Sequence, residues 1–239
     1  MDVDTTSGNP SARRQGQHRR RLIAGIAVAA VVAVSLLVIG NLRHSTINTS
    51  GALSARACPT VSATTGIPSI APAQNLDWSN CNLTGAKLNG ADLTGSSLQG
   101  AIMTSADVTN AVLTNVNLNG IRESGTLIGP PKTLPSSWLW VHYYLIGPGV
   151  DLSGQDLGSS SAADMTGANL RNAVLTGANL TYVDLTNADV SNANLTGATI
   201  RSGVEDIMVS GLIMMNTTCP NGQNSSNHAN SCAGQGGGW

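Results

Sequence analysis

Across residues 163–202 the apolar positions fall into eight consecutive blocks of five. The third residue of each block is large and apolar: Met165, Leu170, Leu175, Leu180, Leu185, Val190, Leu195 and Ile200. The first residue is Ala seven times and Val183 once. Five is the period of neither an α-helix nor a plain strand, so the segment reads as a repeat. Within a block, positions one and three are two residues apart and share a face, as in a strand. Positions four and five are Thr, Ser, Gly, Asn, Arg or Tyr, mostly residues that accept a corner. Each block is thus a very short strand followed by a bend. Bends repeated in one sense wind the chain into a coil, whose turns pair about 4.8 Å apart. Large Leu and small Ala alternate in a narrow filled core, while the polar second and fourth positions face water.

The same period runs earlier, beginning near Leu76-Asp77-Trp78 and clear from Cys81 to Gly120. Its third slots hold Leu83, Leu88, Leu93, Leu98, Met103, Val108, Leu113 and Leu118. A(D/N)LTG repeated in tandem resembles the pentapeptide-repeat family. The resemblance implies an all-β fold, a right-handed quadrilateral β-helix with four blocks and twenty residues per coil. On that geometry Met165 stacks on Leu185, Leu170 on Val190, Leu175 on Leu195 and Leu180 on Ile200. It also implies a scaffold and names no activity. The same register sets Lys87 beside Asp107 as an exposed ion pair and puts Asp164 and Asp184 in one column.

The rest of the chain divides around these arrays. Residues 1–21 are polar and Arg-rich and read as a cytoplasmic basic tail. Residues 22–39 contain no charge, and the run 22–42 is long enough to cross the ~30 Å hydrocarbon layer as one transmembrane α-helix. Three arginines precede it and Arg43 alone follows, which puts the N-terminus inside and the rest outside. A cleaved signal peptide is the alternative, but Val38-Ile39-Gly40 makes a poor cleavage site. Residues 43–75 read as a Ser/Thr/Pro-rich spacer, 76–120 as the first array, and 150–202 as the second, with a three-residue slip at 160–162. Residues 203–239 read as a partial last coil and a tail bracketed by cysteines.

Between the arrays, residues 121–149 break the pattern. Trp138, Trp140, His142 and Tyr144 alternate with Leu139, Val141, Tyr143 and Leu145, which predicts a strand with two large faces. Gly129-Pro130-Pro131 and Gly147-Pro148-Gly149 punctuate it, giving a strand-loop-strand insertion. LPSSW followed by YLIGPGVDLSG also resembles an insertion of many bacterial pentapeptide-repeat proteins. Packing is the expected role, since Trp and Tyr are usually buried. The sharper alternative makes Trp138, Trp140, His142, Tyr143 and Tyr144 an exposed platform for glycan, lipid or protein.

Composition narrows the chemistry. Charged residues make up 10% and aromatics 3% of the 239 residues, and Phe is absent, which suits a stacked Leu and Ala core. From residue 45 onward six basic residues face eleven acidic ones, scattered and without a basic patch, so no nucleic acid is expected as partner. Four cysteines allow three pairings. Cys219 and Cys232 bracket a short polar loop, the pattern of a local disulfide in an oxidising compartment, and the stretch resembles the closing segment of secreted family members. Cys58 and Cys81 would then pair, although Cys81 fills an inward Ala slot where a buried thiol also serves as a small hydrophobe. No metal or cofactor is expected: CxxC spacing is missing, and the loop between Cys219 and Cys232 has His228 but no carboxylate. Glu occurs only at Glu123 and Glu205 and the four His are dispersed, so no catalytic constellation appears and an enzyme is not expected.

Three functions fit. The first is a membrane-anchored envelope protein presenting its rod as a structural or protein-interaction scaffold. The second is a secreted binding module using the Trp138–Tyr144 insertion. The third borrows a known family activity, a DNA mimic acting on topoisomerase, and fits poorly with an export segment and a mildly acidic surface.

Overall fold

The computed structural model describes residues 55–122, 126–158, 163–200 and 209–236. The expected tail 1–21, the membrane-spanning helix 22–42, the first part of the spacer (43–54) and the slip at 160–162 lie outside the described residues. Among the described residues, no helix is long and apolar enough to cross a membrane.

From Asp77 onward the second residue of each block pairs in parallel with the residue twenty further on: Asp77 with Ser97, Asn82 with Ile102, Lys87 with Asp107, Asp92 with Val112. These four pairs found the four sides of a coil. The bonds alternate: Leu88 N–H donates to the Asp107 carbonyl (2.8 Å), and Asp107 N–H donates back to the Ala86 carbonyl (2.9 Å). Each side carries a single bridging residue, too short to be a regular strand. The fifth residue of each block turns the corner with φ between 56° and 71°, whether it is Gly85, Ser105, Asn110 or Tyr182. Gly and Asn dominate there because they enter the left-handed region most readily.

The core follows from this winding. All sixteen third-slot residues expected to point inward are buried, and none is more than 4% exposed. Ala86, Ala106, Ala111, Ala173 and Ala188 are buried between them. Trp78 occupies the third slot of the first coil at 1% exposure and fills the base. Burying each large aliphatic side chain stabilises the fold by about 1.5–3 kcal/mol.

Both ends are closed. Residues 55–75 are more than the second half of a spacer. Val61 pairs antiparallel with Pro68, the Gly66 carbonyl accepts from Lys87 N–H, and Cys58 is disulfide-bonded to Cys81. Gly66 lies so close to the first coil that a Cβ there would stand 2.7 Å from the Gly85 carbonyl oxygen. At the other end Cys219 is bonded to Cys232, Thr218 pairs with Asn224, and a 3-10 turn spans Ser225–His228.

The two arrays are one winding. The second side runs Asn82, Ile102, Arg122, Asp151, Val174, Asn194, Thr218 without a break in its bridges. Part of the expected insertion belongs to the wall: Ile128 pairs with Asp107 and Thr133 with Val112. The coil from Arg122 to Asp151 then takes twenty-nine residues instead of twenty (151 − 122 = 29). Among the described residues, the bridges of the other three sides stop at Asn117, Ile128 and Thr133 and resume at Asn169, Asp156 and Asp164. The extra chain forms a hairpin in that gap, with β1 at Leu139–Val141 and β2 at Tyr144–Ile146.

A core of alternating large and small slots should resist change in both directions. Leu113→Ala is expected to cost about 2–5 kcal/mol, and Ala111→Leu about 1–3 kcal/mol by overpacking. Calorimetric melting should fall for both variants.

Candidate interaction surface

The hairpin replaces the single strand expected through Trp138–Leu145. β1 and β2 pair antiparallel, with Leu139 opposite Ile146, Trp140 opposite Leu145 and Val141 opposite Tyr144. The two residues between them, His142 and Tyr143, both have positive φ (46° and 69°). A two-residue turn of this hand matches the twist of the strands, and Asn-Gly is its usual sequence. His-Tyr carries the strain of two bulky residues in the left-handed region, of order 1–2 kcal/mol each. Neither carries the turn signal of Gly or Asn, which is why the sequence reads as a continuous strand.

The hairpin divides the five expected platform residues. Trp138 and Tyr144 are buried at 7% and 5% exposure and belong to the core, so a platform of all five is not formed. The Trp138 ring packs against Gly147 so closely that a Cβ there would overlap it. Tyr144 donates its hydroxyl to Gln155 Oε1 at 3.3 Å. Trp140 and His142 are half-buried, and Tyr143 at the tip is 59% exposed. Trp140 and Tyr143 meet edge to face with ring centroids 6.2 Å apart. The Tyr143 carbonyl accepts from Leu127 N–H at 2.9 Å, which brings the 53%-exposed Ile128 beside the tip. The resulting surface is Trp140, Tyr143 and Ile128. Ile128 escapes sequence analysis because the repeat is broken there.

The polar outer slots have a local task. The second residue of a block accepts from the backbone N–H of the fourth: Asn82 from Thr84, Asp92 from Thr94, Asp164 from Thr166, Asn194 from Thr196. Asp and Asn therefore recur beside Thr and Ser because they cap the corner that follows. These bonds hold carboxylates below their usual range. Ser79 does so for Asp77, Thr94 and Gln74 for Asp92, and Thr166 for Asp164. At Asp189 burial pushes the other way, but Ser191 and Arg171 outweigh it. Arg171 and Asp189 form an ion pair at 2.9 Å. Lys87 and Asp107 sit in register without the expected ion pair, since the fixed backbone alignment does not oblige two exposed side chains to meet.

A concavity of about 500 Å³ opens under the arch of residues 61–66, lined by Ser62, Thr64, Thr84 and Lys87 among others. Lys87 is the titratable group in its lining. Among the described residues, no group of three His, Cys, Asp or Glu is placed to hold a metal ion.

The family model for pentapeptide repeats matches eight copies, over residues 81–120 and 161–199. The repeats of residues 81–120 and 161–199 are those of the pentapeptide-repeat family. The family's fold is the right-handed quadrilateral β-helix. No curated protein matches the chain. Among solved structures, the chain is similar to the pentapeptide-repeat protein Rfr23 from the cyanobacterium Cyanothece 51142, at 21% identity and a TM-score of 0.19. The match covers 57% of this chain and 58% of Rfr23, so the chain spans under two thirds of that protein's length. It is also similar to a pentapeptide-repeat protein of the Arabidopsis thaliana thylakoid lumen, at 21% identity and a TM-score of 0.25, covering 64% of this chain and 86% of that one. A third is QnrB1, a plasmid-mediated fluoroquinolone resistance protein, at 16% identity and a TM-score of 0.24, with 58% and 79% covered.

Two outcomes follow for the residues of this surface and its walls. Replacing the tip by Asn-Gly (His142→Asn with Tyr143→Gly) should relieve the turn and raise the melting temperature by a few degrees, at about 2–4 °C per kcal/mol. The depressed carboxylates give an acid dependence of definite sign. Their folded pKa values lie below the unfolded ones, so their contribution is complete above the unfolded value near 4 and is lost as pH falls through the folded values. Melting should therefore hold steady at neutral pH and drop in acid. Asp164→Asn, which keeps the acceptor for Thr166 N–H, should flatten that drop in a melting series against pH.

Proposed function

We propose that the chain is a non-enzymatic scaffold, held outside the cytoplasmic membrane by the apolar segment 22–42, that presents the hairpin tip to another protein of the cell envelope. The observation that carries this reading is the pair of disulfides, one at each end of the rod. Disulfides persist in oxidising compartments and are rare in the cytosol. The rod itself supports a passive role: its Leu and Ala fill the interior, and its Asp, Asn and Thr are spent on their own corners. What remains for recognition is the exposed aromatic tip, held at a cost in backbone strain that favours a functional explanation for its side chains.

Fractionation of cells with thiol labelling tests this directly. The full-length protein should sediment with membranes, and its four cysteines should resist alkylation until a reductant is added. Recovery in the cytosol with reactive thiols would overturn the proposal.

A further inference from the structure

The strand β1 has an open edge. In a hairpin closed by a two-residue turn, Val141 and Tyr144 exchange the hydrogen bonds next to the turn, and Leu139 and Ile146 the next pair. The N–H and C=O of Trp140 then point away from β2. No described residue pairs with either group. The opposite edge is closed, since Leu145 is fully buried. Leu139, Trp140 and Val141 are each half-buried, unlike the fully buried β2.

Exposed strand edges are normally blunted by a charge, a proline, a bulge or a covering segment. β1 reads Leu-Trp-Val, and its register with β2 runs without a bulge. Its two free backbone groups belong to one residue, with the apolar surfaces of Trp140, Tyr143 and Ile128 alongside.

We propose that this edge receives one extended peptide segment of another protein as an added strand. The segment is uncharged and carries apolar side chains at alternate positions, so that one row meets Trp140 and Tyr143. Size argues against a second copy of the chain. A strand of three residues is about 10 Å long, and edge-to-edge pairing of two rods would give far less than the ~1,000 Å² that a stable dimer needs. A free peptide is not so confined: it can continue past the turn across Tyr143 and Ile128. The inference rests on the interaction-scaffold reading and names the kind of partner. Fractionation judges compartment and anchoring, and exchange at Trp140 judges the edge, so failure of one is distinct from failure of the other.

The test uses the full-length chain labelled with 15N at its four tryptophans, Trp78, Trp138, Trp140 and Trp239. Trp140→Phe removes one backbone signal and so assigns it. The probe is the capped hexapeptide Thr-Val-Thr-Val-Thr-Val, and the control is the same sequence with every amide N-methylated. The hexapeptide at millimolar concentration should slow hydrogen exchange at the Trp140 amide at least tenfold and leave Trp78 unchanged. The control should do nothing. Unchanged exchange at Trp140, or equal slowing by both peptides, would overturn the proposal. So would protection in the peptide-free protein that grows with protein concentration, because a second copy would then be closing the edge.

Discussion

Each side of the rod is five residues long because its fifth residue turns the backbone at positive φ, a conformation that Gly and Asn take readily and most residues resist. From that corner the rest follows. A side of five leaves room for one inward pair, Ala then Leu, and for one residue that bridges to the next coil. Four corners return the chain to its own start, twenty residues on, where the Leu88 and Asp107 backbones exchange bonds with their neighbours. The outer Asp or Asn is then drawn into the same problem, accepting from the Thr N–H that would otherwise go unpaired at the bend.

The hairpin is the place where this economy is interrupted. Among the described residues three sides of the coil lose their bridges there, while the remaining side passes through Arg122, Asp151 and Val174 unbroken. Trp138, Tyr144, Leu145 and Ile146 compensate by continuing the apolar core across the gap. The surface that results differs from the walls on either side. The walls have their backbone groups paired from coil to coil and their polar side chains engaged at corners. The hairpin has an unpaired edge, a strained tip and exposed aromatic surface.

The repeat was legible because a single residue type recurs where the geometry recurs. Leu83 through Ile200 could be assigned inward from spacing alone, and the cysteine pairing that the structure contains was among the three that arithmetic allows. Where the structure departs from the repeat, the signal was missing or ambiguous. His142 and Tyr143 lack the Asn-Gly signature of their turn, so two strands read as one. Residues 55–75 look like a spacer in composition, yet their backbone pairs with the first coil through Gly66. Ile128 carries no block around it to mark its place in the wall. The polar slots were read as solvated, and their task as acceptors for the corner amides depends on contacts two residues away that a side-by-side reading of composition does not reveal.

The chain forms one continuous winding carried past the hairpin by its second side. Residue-resolved hydrogen exchange in the native state tests it most directly. The amides of Asp151, Leu152 and Val174, bonded to Ile121, Val174 and Val150 respectively, should exchange as slowly as those of Asp107 and Asn194 deep in the arrays. Fast exchange at Asp151 and Leu152, with slow exchange confined to separate blocks on either side, would contradict it and leave two independent arrays joined by a loose connection.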